Sequence, residues 1–176
     1  MNDTYYPPPG FYFSVSVLGS GTAAAALTAI DSSFQEVSGI EAEFGVEECA
    51  EGGENRFVHR LPKQAKYPPL VLKRGVVTTD SALGEWVGAT IGSTLSLPII
   101  PQNLLVMLLG PSGDPLIAWG FANAYPLKWK TRPLNSTENA VLTESLEFSY
   151  NYFVRTTLGS SLSLAVGLTQ LAASLT

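Results

Sequence analysis

Apolar residues recur at every second position along most of this chain, and short turns rich in Pro and Gly cut those stretches to strand length. Period two is the signature of half-buried strands, so the pattern commits the chain to a mainly β fold. Phe11, Phe13, Val15 and Val17 alternate with Tyr12, Ser14 and Ser16, after a stiff lead-in at Pro7-Pro8-Pro9-Gly10. Phe34 to Val37 reads as a second strand. Ile40 to Val46 reads as a third, with Ile40, Ala42 and Phe44 or Val46 on one side and Glu41 and Glu43 on the other. Arg56 to Leu61 follows the turn at Glu51-Gly52-Gly53-Glu54-Asn55, and Pro62 is expected to end it. Leu70-Val71-Leu72 and Val76-Val77 flank Lys73-Arg74-Gly75 as a bent strand. Leu104 to Leu109 and Leu116 to Phe121 form a hairpin about the turn at residues 110–115. Ala124 to Trp129 is extended, residues 131–139 are a loop, and residues 140–153 make a long final strand.

One segment breaks the rule. Leu83, Trp86, Val87, Thr90 and Ile91 lie on a single helical face, behind Asp80 or Ser81 as N-cap. The predicted architecture is therefore two packed antiparallel sheets forming a β-barrel or sandwich with one flanking α-helix. Its expected parts are a Pro-rich lead-in at 1–10, the β domain at 11–153 and a Ser/Leu/Ala-rich extension at 154–176. Residues 19–33 read as a flexible loop.

Charge narrows the function. Only 14% of the residues are charged, against about 25% in an average soluble chain, and the net charge is −5. An acidic balance argues against nucleic-acid binding, which needs a basic footprint. No segment reads as a membrane span. The start of the chain has neither the basic nor the apolar region of a secretory signal. One Cys (Cys49) and one His (His59) leave no disulfide framework and too few ligands for an N/S metal site. His59 has no nucleophile signature near it, and the acids around Cys49 do not activate a thiol. Gly19-Ser20-Gly21-Thr22-Ala23-Ala24 matches the dinucleotide pattern G-x-G-x-x-A after a strand, but no second crossover helix follows until residue 81. Six glutamates between Glu41 and Glu54 lack the spacing of a calcium loop. No enzyme, cofactor or metal role is expected.

The remaining charges are sorted. Eight of 15 acids lie between Asp31 and Glu54, and six of 10 bases lie between Arg56 and Arg74. Adjacent strands could pair these blocks internally. Alternatively, the acidic surface of one subunit meets the basic surface of the next, a head-to-tail contact that builds rings or stacks. On that reading Glu41, Glu43, Glu47, Glu48, Arg60, Lys66, Lys73 and Arg74 form the subunit interface. Reversing Lys73 or Arg74 to Glu is then expected to impair assembly more than folding.

A set of short motifs runs in order through the chain: Phe34-Gln35-Glu36-Val37-Ser38-Gly39-Ile40, Glu51-Gly52-Gly53-Glu54-Asn55-Arg56-Phe57, His59-Arg60-Leu61-Pro62, Lys66-Tyr67-Pro68, Leu70-Val71-Leu72-Lys73-Arg74-Gly75, Trp119, Ala124-Tyr125-Pro126-Leu127-Lys128-Trp129 and Glu144-Ser145-Leu146-Glu147-Phe148. Together they resemble the tail tube protein family of contractile-tailed bacteriophages and phage-tail-like injection systems. The resemblance implies hexameric rings stacked into a hollow inner tube. Its implied partners are further copies, a sheath, the baseplate and spike hub, and possible lumen cargo. Some members are instead tube initiators that join the first ring to the baseplate. The implied location is the bacterial cytoplasm during assembly, then a phage tail or injection particle. The loop at 19–33 and the extension after Phe153 are the departures from the family pattern.

Overall fold

The structure, a computed structural model, describes residues 13–18, 27–31, 34–53, 56–76, 81–137 and 140–158, with the backbone alone for 27–31 and Ala82. The lead-in at 1–10, the Gly19 and Gly21 pattern, Asp80 and the chain from residue 159 lie outside these.

Ten strands and one helix are described: β1 (Phe13–Leu18), β2 (Leu27–Asp31), β3 (Phe34–Ser38), β4 (Glu43–Cys49), β5 (His59–Lys66), β6 (Leu70–Gly75), α1 (Ala82–Gly92), β7 (Gln102–Leu109), β8 (Pro115–Thr131), β9 (Thr143–Ser149) and β10 (Tyr152–Thr157). Eight strands form one antiparallel sheet whose path runs β2-β1-β7-β8-β9-β6-β3, with β10 also paired to β8, while β4 and β5 pair only with each other. The end strands β2 and β3 are not paired to each other, so the path does not close into a barrel by hydrogen bonds.

The 17-residue strand β8 organises the sheet. Its first part lies between β7 and β10, and its second part pairs with β9. The change comes at Asn123, whose φ of 52° is left-handed. The β7–β8 register slips beside it, and Asn123 N–H donates to Asn103 Oδ1 at 2.9 Å. Asn tolerates this conformation better than most residues, and such a bulge bends a strand. The two segments predicted at 116–121 and 124–129 are thus one bent strand.

Other boundaries also move. The final strand predicted over 140–153 is divided at Tyr150-Asn151, where the partner of β8 passes from β9 to β10. β10 continues to Thr157 and Leu158 is buried, so the expected domain boundary at 153/154 falls inside a strand. Part of the loop predicted at 19–33 is strand β2, which pairs antiparallel with β1. That pairing is incompatible with the parallel β-α-β unit a dinucleotide fingerprint requires.

The main core joins Val15, Val17, Leu104, Val106 and Phe121 to Leu70, Leu72, Leu146 and Phe148, with Leu83 and Val87 of α1 packed on them. Trp86 stacks on Phe148 at 5.6 Å. Ser81 is the N-cap, and its Oγ accepts from Gly84 N–H at 3.2 Å. A second cluster, Leu18, Leu105, Met107, Ala118, Ala122 and Leu158, lies on the other face of β1, β7 and β8. This half of the sheet is buried on both faces. Hence β7 buries four successive residues, from Leu104 to Met107, instead of alternating. Among the described residues no helix is long and apolar enough to cross a membrane.

Candidate assembly surface

β4 and β5 form an arm outside the main sheet. The predicted third strand (40–46) starts later, at Glu43, and the predicted fourth (56–61) runs past Pro62 to Lys66. Pro62 sits opposite Val46 beside a register slip. A two-stranded ribbon has free edges, where a missing N–H is tolerated.

This arm also settles how the two charge blocks meet inside one subunit. β4 is the acidic strand and β5 the basic one. Glu48 pairs with Arg60 at 3.3 Å, Glu47 with Lys63 at 3.2 Å, and Glu51 lies 3.6 Å from His59. Glu43 stands opposite Lys66 in the register. Charges on neighbouring strands therefore pair across the arm. All are well exposed, and such pairs contribute only about 0–1 kcal/mol each. They fix the hairpin register more than they stabilise it.

The arm's apolar side chains are the surprise. Phe44 is 70% exposed, Val46 56% and Leu61 53%. The arm has no core, and an isolated two-stranded hairpin is at best marginal in water. Exposed apolar residues on such an element mark a contact surface. Charge patterning marks the acids and bases of this segment, whereas the period-two alternation of Phe44 and Val46 does not tell an exposed apolar side from a covered one. A second exposed apolar stretch, Leu95, Leu97 and Ile100, follows α1 and had no sequence signal of its own.

The arm is clamped at its base. Gly39, at the end of β3, has φ +86°, and a Cβ there would lie 2.1 Å from the Pro69 carbonyl oxygen. Only glycine fits so close an approach in this conformation. Tyr150 O–H donates to the Gly39 carbonyl at 3.1 Å. Its ring lies against Tyr67 (5.8 Å) and Phe121 (4.9 Å). Burial, followed by the neighbouring Tyr67 and Glu41, pushes the Tyr150 phenol up to about 12. Both strands of the arm thus leave the body beside one aromatic cluster.

Arg74 requires a correction. It was expected at the interface, but it is 3% exposed and bound inside the subunit. Its Nε donates to Glu144 Oε1 at 2.6 Å and its Nη1 to Ser81 Oγ at 3.0 Å, and its guanidinium lies 5.4 Å from the Phe34 ring centre. The second carboxylate oxygen of Glu144 accepts from Trp129 Nε1 at 2.8 Å. Alternation on β6 puts Lys73 outward and Arg74 inward, so a run of two bases in sequence serves two unrelated roles. Lys73 pairs with Glu36 at 3.3 Å on the surface. Cys49 and His59 stand opposite each other in the arm. Among the described residues no group of three His, Cys, Asp or Glu side chains is placed to hold a metal.

The fold has counterparts. The chain is similar in structure to a chain of the anti-feeding prophage baseplate (TM-score 0.72, 25% identity, covering 86% of this chain and 97% of that one). It is also similar to a chain of the sheath–tube complex of an extracellular contractile injection system, PVC (TM-score 0.71, 21% identity, 88% and 94% covered). A chain of the anti-feeding prophage tube-terminating cap shows the same fold (TM-score 0.68, 22% identity, 89% and 99% covered). No curated protein matches the chain. The family profile described as T4-like virus tail tube protein gp19 matches residues 9–154. With that match over most of its length, the chain belongs to the T4-like virus tail tube protein family.

Proposed function

We propose that this protein is the structural subunit of the hollow inner tube of a contractile phage tail or phage-tail-like injection system, built as stacked hexameric rings. The observation that carries the reading is the arm, a hairpin without a core whose Phe44, Val46 and Leu61 face water in the single subunit. Packed against a neighbouring copy, those residues gain the burial the arm lacks. Glu41, Glu43, Glu47, Glu48, Arg60, Lys66 and Lys73 then border that contact and set its register, while Arg74 holds the subunit together. In the ring the bent sheet wraps as a β-barrel or sandwich, with α1 on its flank. The arrangement calls for no catalysis or cofactor. Its partners are further copies, a sheath, the baseplate and spike hub, and lumen cargo. Assembly takes place in the bacterial cytoplasm, before the subunit becomes part of the particle.

A second reading is a tube-initiator or adaptor ring at the baseplate. It is favoured by the 25% identity to a chain of the anti-feeding prophage baseplate. Copy number in purified particles separates the two: many rings for a tube subunit, one for an initiator. A protein that stays monomeric at every concentration and never enters a particle refutes both.

A further inference from the structure

The outward face of β6, β9 and β8 carries a cationic cleft that shares Lys73 alone with the residues bordering the proposed arm contact. Ser145 on β9 stands opposite Lys73 on one side and Lys130 on the other. Neighbouring strands lie about 4.8 Å apart, so two lysines flank one hydroxyl across roughly 10 Å. Arg132 adds a third cation, and its backbone N–H donates to the Thr143 carbonyl at 2.8 Å. These residues, with Pro133 and Glu144, line a cleft of about 250 Å³.

The carboxylate beside this cleft does not neutralise it. Both oxygens of Glu144 are turned inward, one to Arg74 and one to Trp129. Glu36 balances Lys73 from the rim at 3.3 Å. Lys130 makes no ion pair among the described residues, whereas Lys128, two positions earlier, is paired with Glu147 at 2.9 Å. In a chain with net charge −5 and few charges, Lys73, Lys130 and Arg132 line one cleft together with the Ser145 and Thr143 hydroxyls and bring positive charge to it. Ammonium groups supply rotatable donors, and a guanidinium supplies a planar fork that matches two oxygens of one group.

We infer that this cleft binds an oxyanion, a phosphate or carboxylate group held between Lys73, Lys130 and Arg132, with the Ser145 and Thr143 hydroxyls as further donors. The oxyanion comes from solution or from a carboxylate of a second copy. The cleft belongs to one subunit, so a failure of the tube reading leaves its first test intact.

The unassembled protein is titrated with inorganic phosphate and with citrate, at constant ionic strength against chloride, and heat and amide chemical shifts are followed. Saturable uptake at one anion per subunit is expected. Lys130→Gln should weaken it at least tenfold and Ser145→Ala several-fold, while Lys128→Gln leaves it unchanged. A neighbouring carboxylate as the source shows itself differently: Lys130→Gln lowers self-association, and phosphate competes with it. The inference is overturned if the wild type neither takes up either anion nor self-associates in a Lys130-dependent way. It is equally overturned if Lys128→Gln and Lys130→Gln weaken uptake alike, because the effect is then general surface charge.

Discussion

Replacing Arg74 by Met should unfold this protein far more readily than it disturbs any surface. The change removes a cation that is 3% exposed and leaves Glu144, 5% exposed, with Trp129 as its only donor among the described residues. Removing one partner of a buried ion pair costs about 3–5 kcal/mol, because the remaining charge stays desolvated. Lost with it are the donor to Ser81, which caps α1, and the contact over Phe34. For a chain of this size each kcal/mol moves the midpoint by about 2–4 °C, so a drop of about 6–20 °C is expected. Thermal and urea unfolding of the unassembled subunit measure it. The companion is the double change Arg74→Met with Glu144→Leu, which removes both charges. It should recover about 2 kcal/mol or more of the loss, since apolar replacement of a whole buried pair is close to neutral. A single variant destabilised by less than about 1 kcal/mol, or a double variant no better than the single, would refute the account of this network.

The arm gives the opposite expectation: Phe44→Asp with Leu61→Asp should leave the unfolding midpoint within about 4 °C, since each surface change stays near 0.5 kcal/mol, yet abolish self-assembly measured by light scattering. Unchanged assembly would show that the arm's exposed apolar residues are not a contact. Gly39→Ala should cost about 2 kcal/mol or more by urea unfolding, as the added Cβ meets the Pro69 carbonyl in a left-handed conformation; a neutral result would mean the turn can reshape. Alkaline pH tests the clamp. The Tyr150 phenol is raised from 10.0 to about 12, so the folded state keeps a proton that the unfolded state loses. Stability contributed at neutral pH should therefore fall as pH rises from about 10 to about 12. Tyr150→Phe should flatten that part of the unfolding-midpoint profile; an unaltered slope would assign it to another group.

Much of the fold was legible because alternation is a local signal. The strands at Phe13–Leu18, Phe34–Ser38 and Gln102–Leu109 and the helix capped by Ser81 all follow from the side chains of their own segments. What local pattern does not encode is which face finds a partner. Phe44 and Val46 alternate like core residues, yet the ribbon they belong to has no second layer. Arg74 looked like one more member of a basic run, but its pairing with Glu144, 70 residues later, depends on the sheet order β9-β6. The bend at Asn123 joins two apparent strands into one, because a single left-handed residue and the Asn103 side chain do the work of a turn. Sorting of charge into two blocks was visible. That the arm pairs them within one subunit required knowing that β4 and β5 are neighbours.

The central claim, that this chain builds a hollow tube, is tested most directly by cryo-electron microscopy of the purified protein and of particles that contain it. The account predicts six subunits per ring, rings stacked about an open channel, and each arm seated on a neighbouring copy with Phe44, Val46 and Leu61 buried. A monomer at all concentrations that is absent from every particle, or rings in which the arm stands free in solvent, would contradict it.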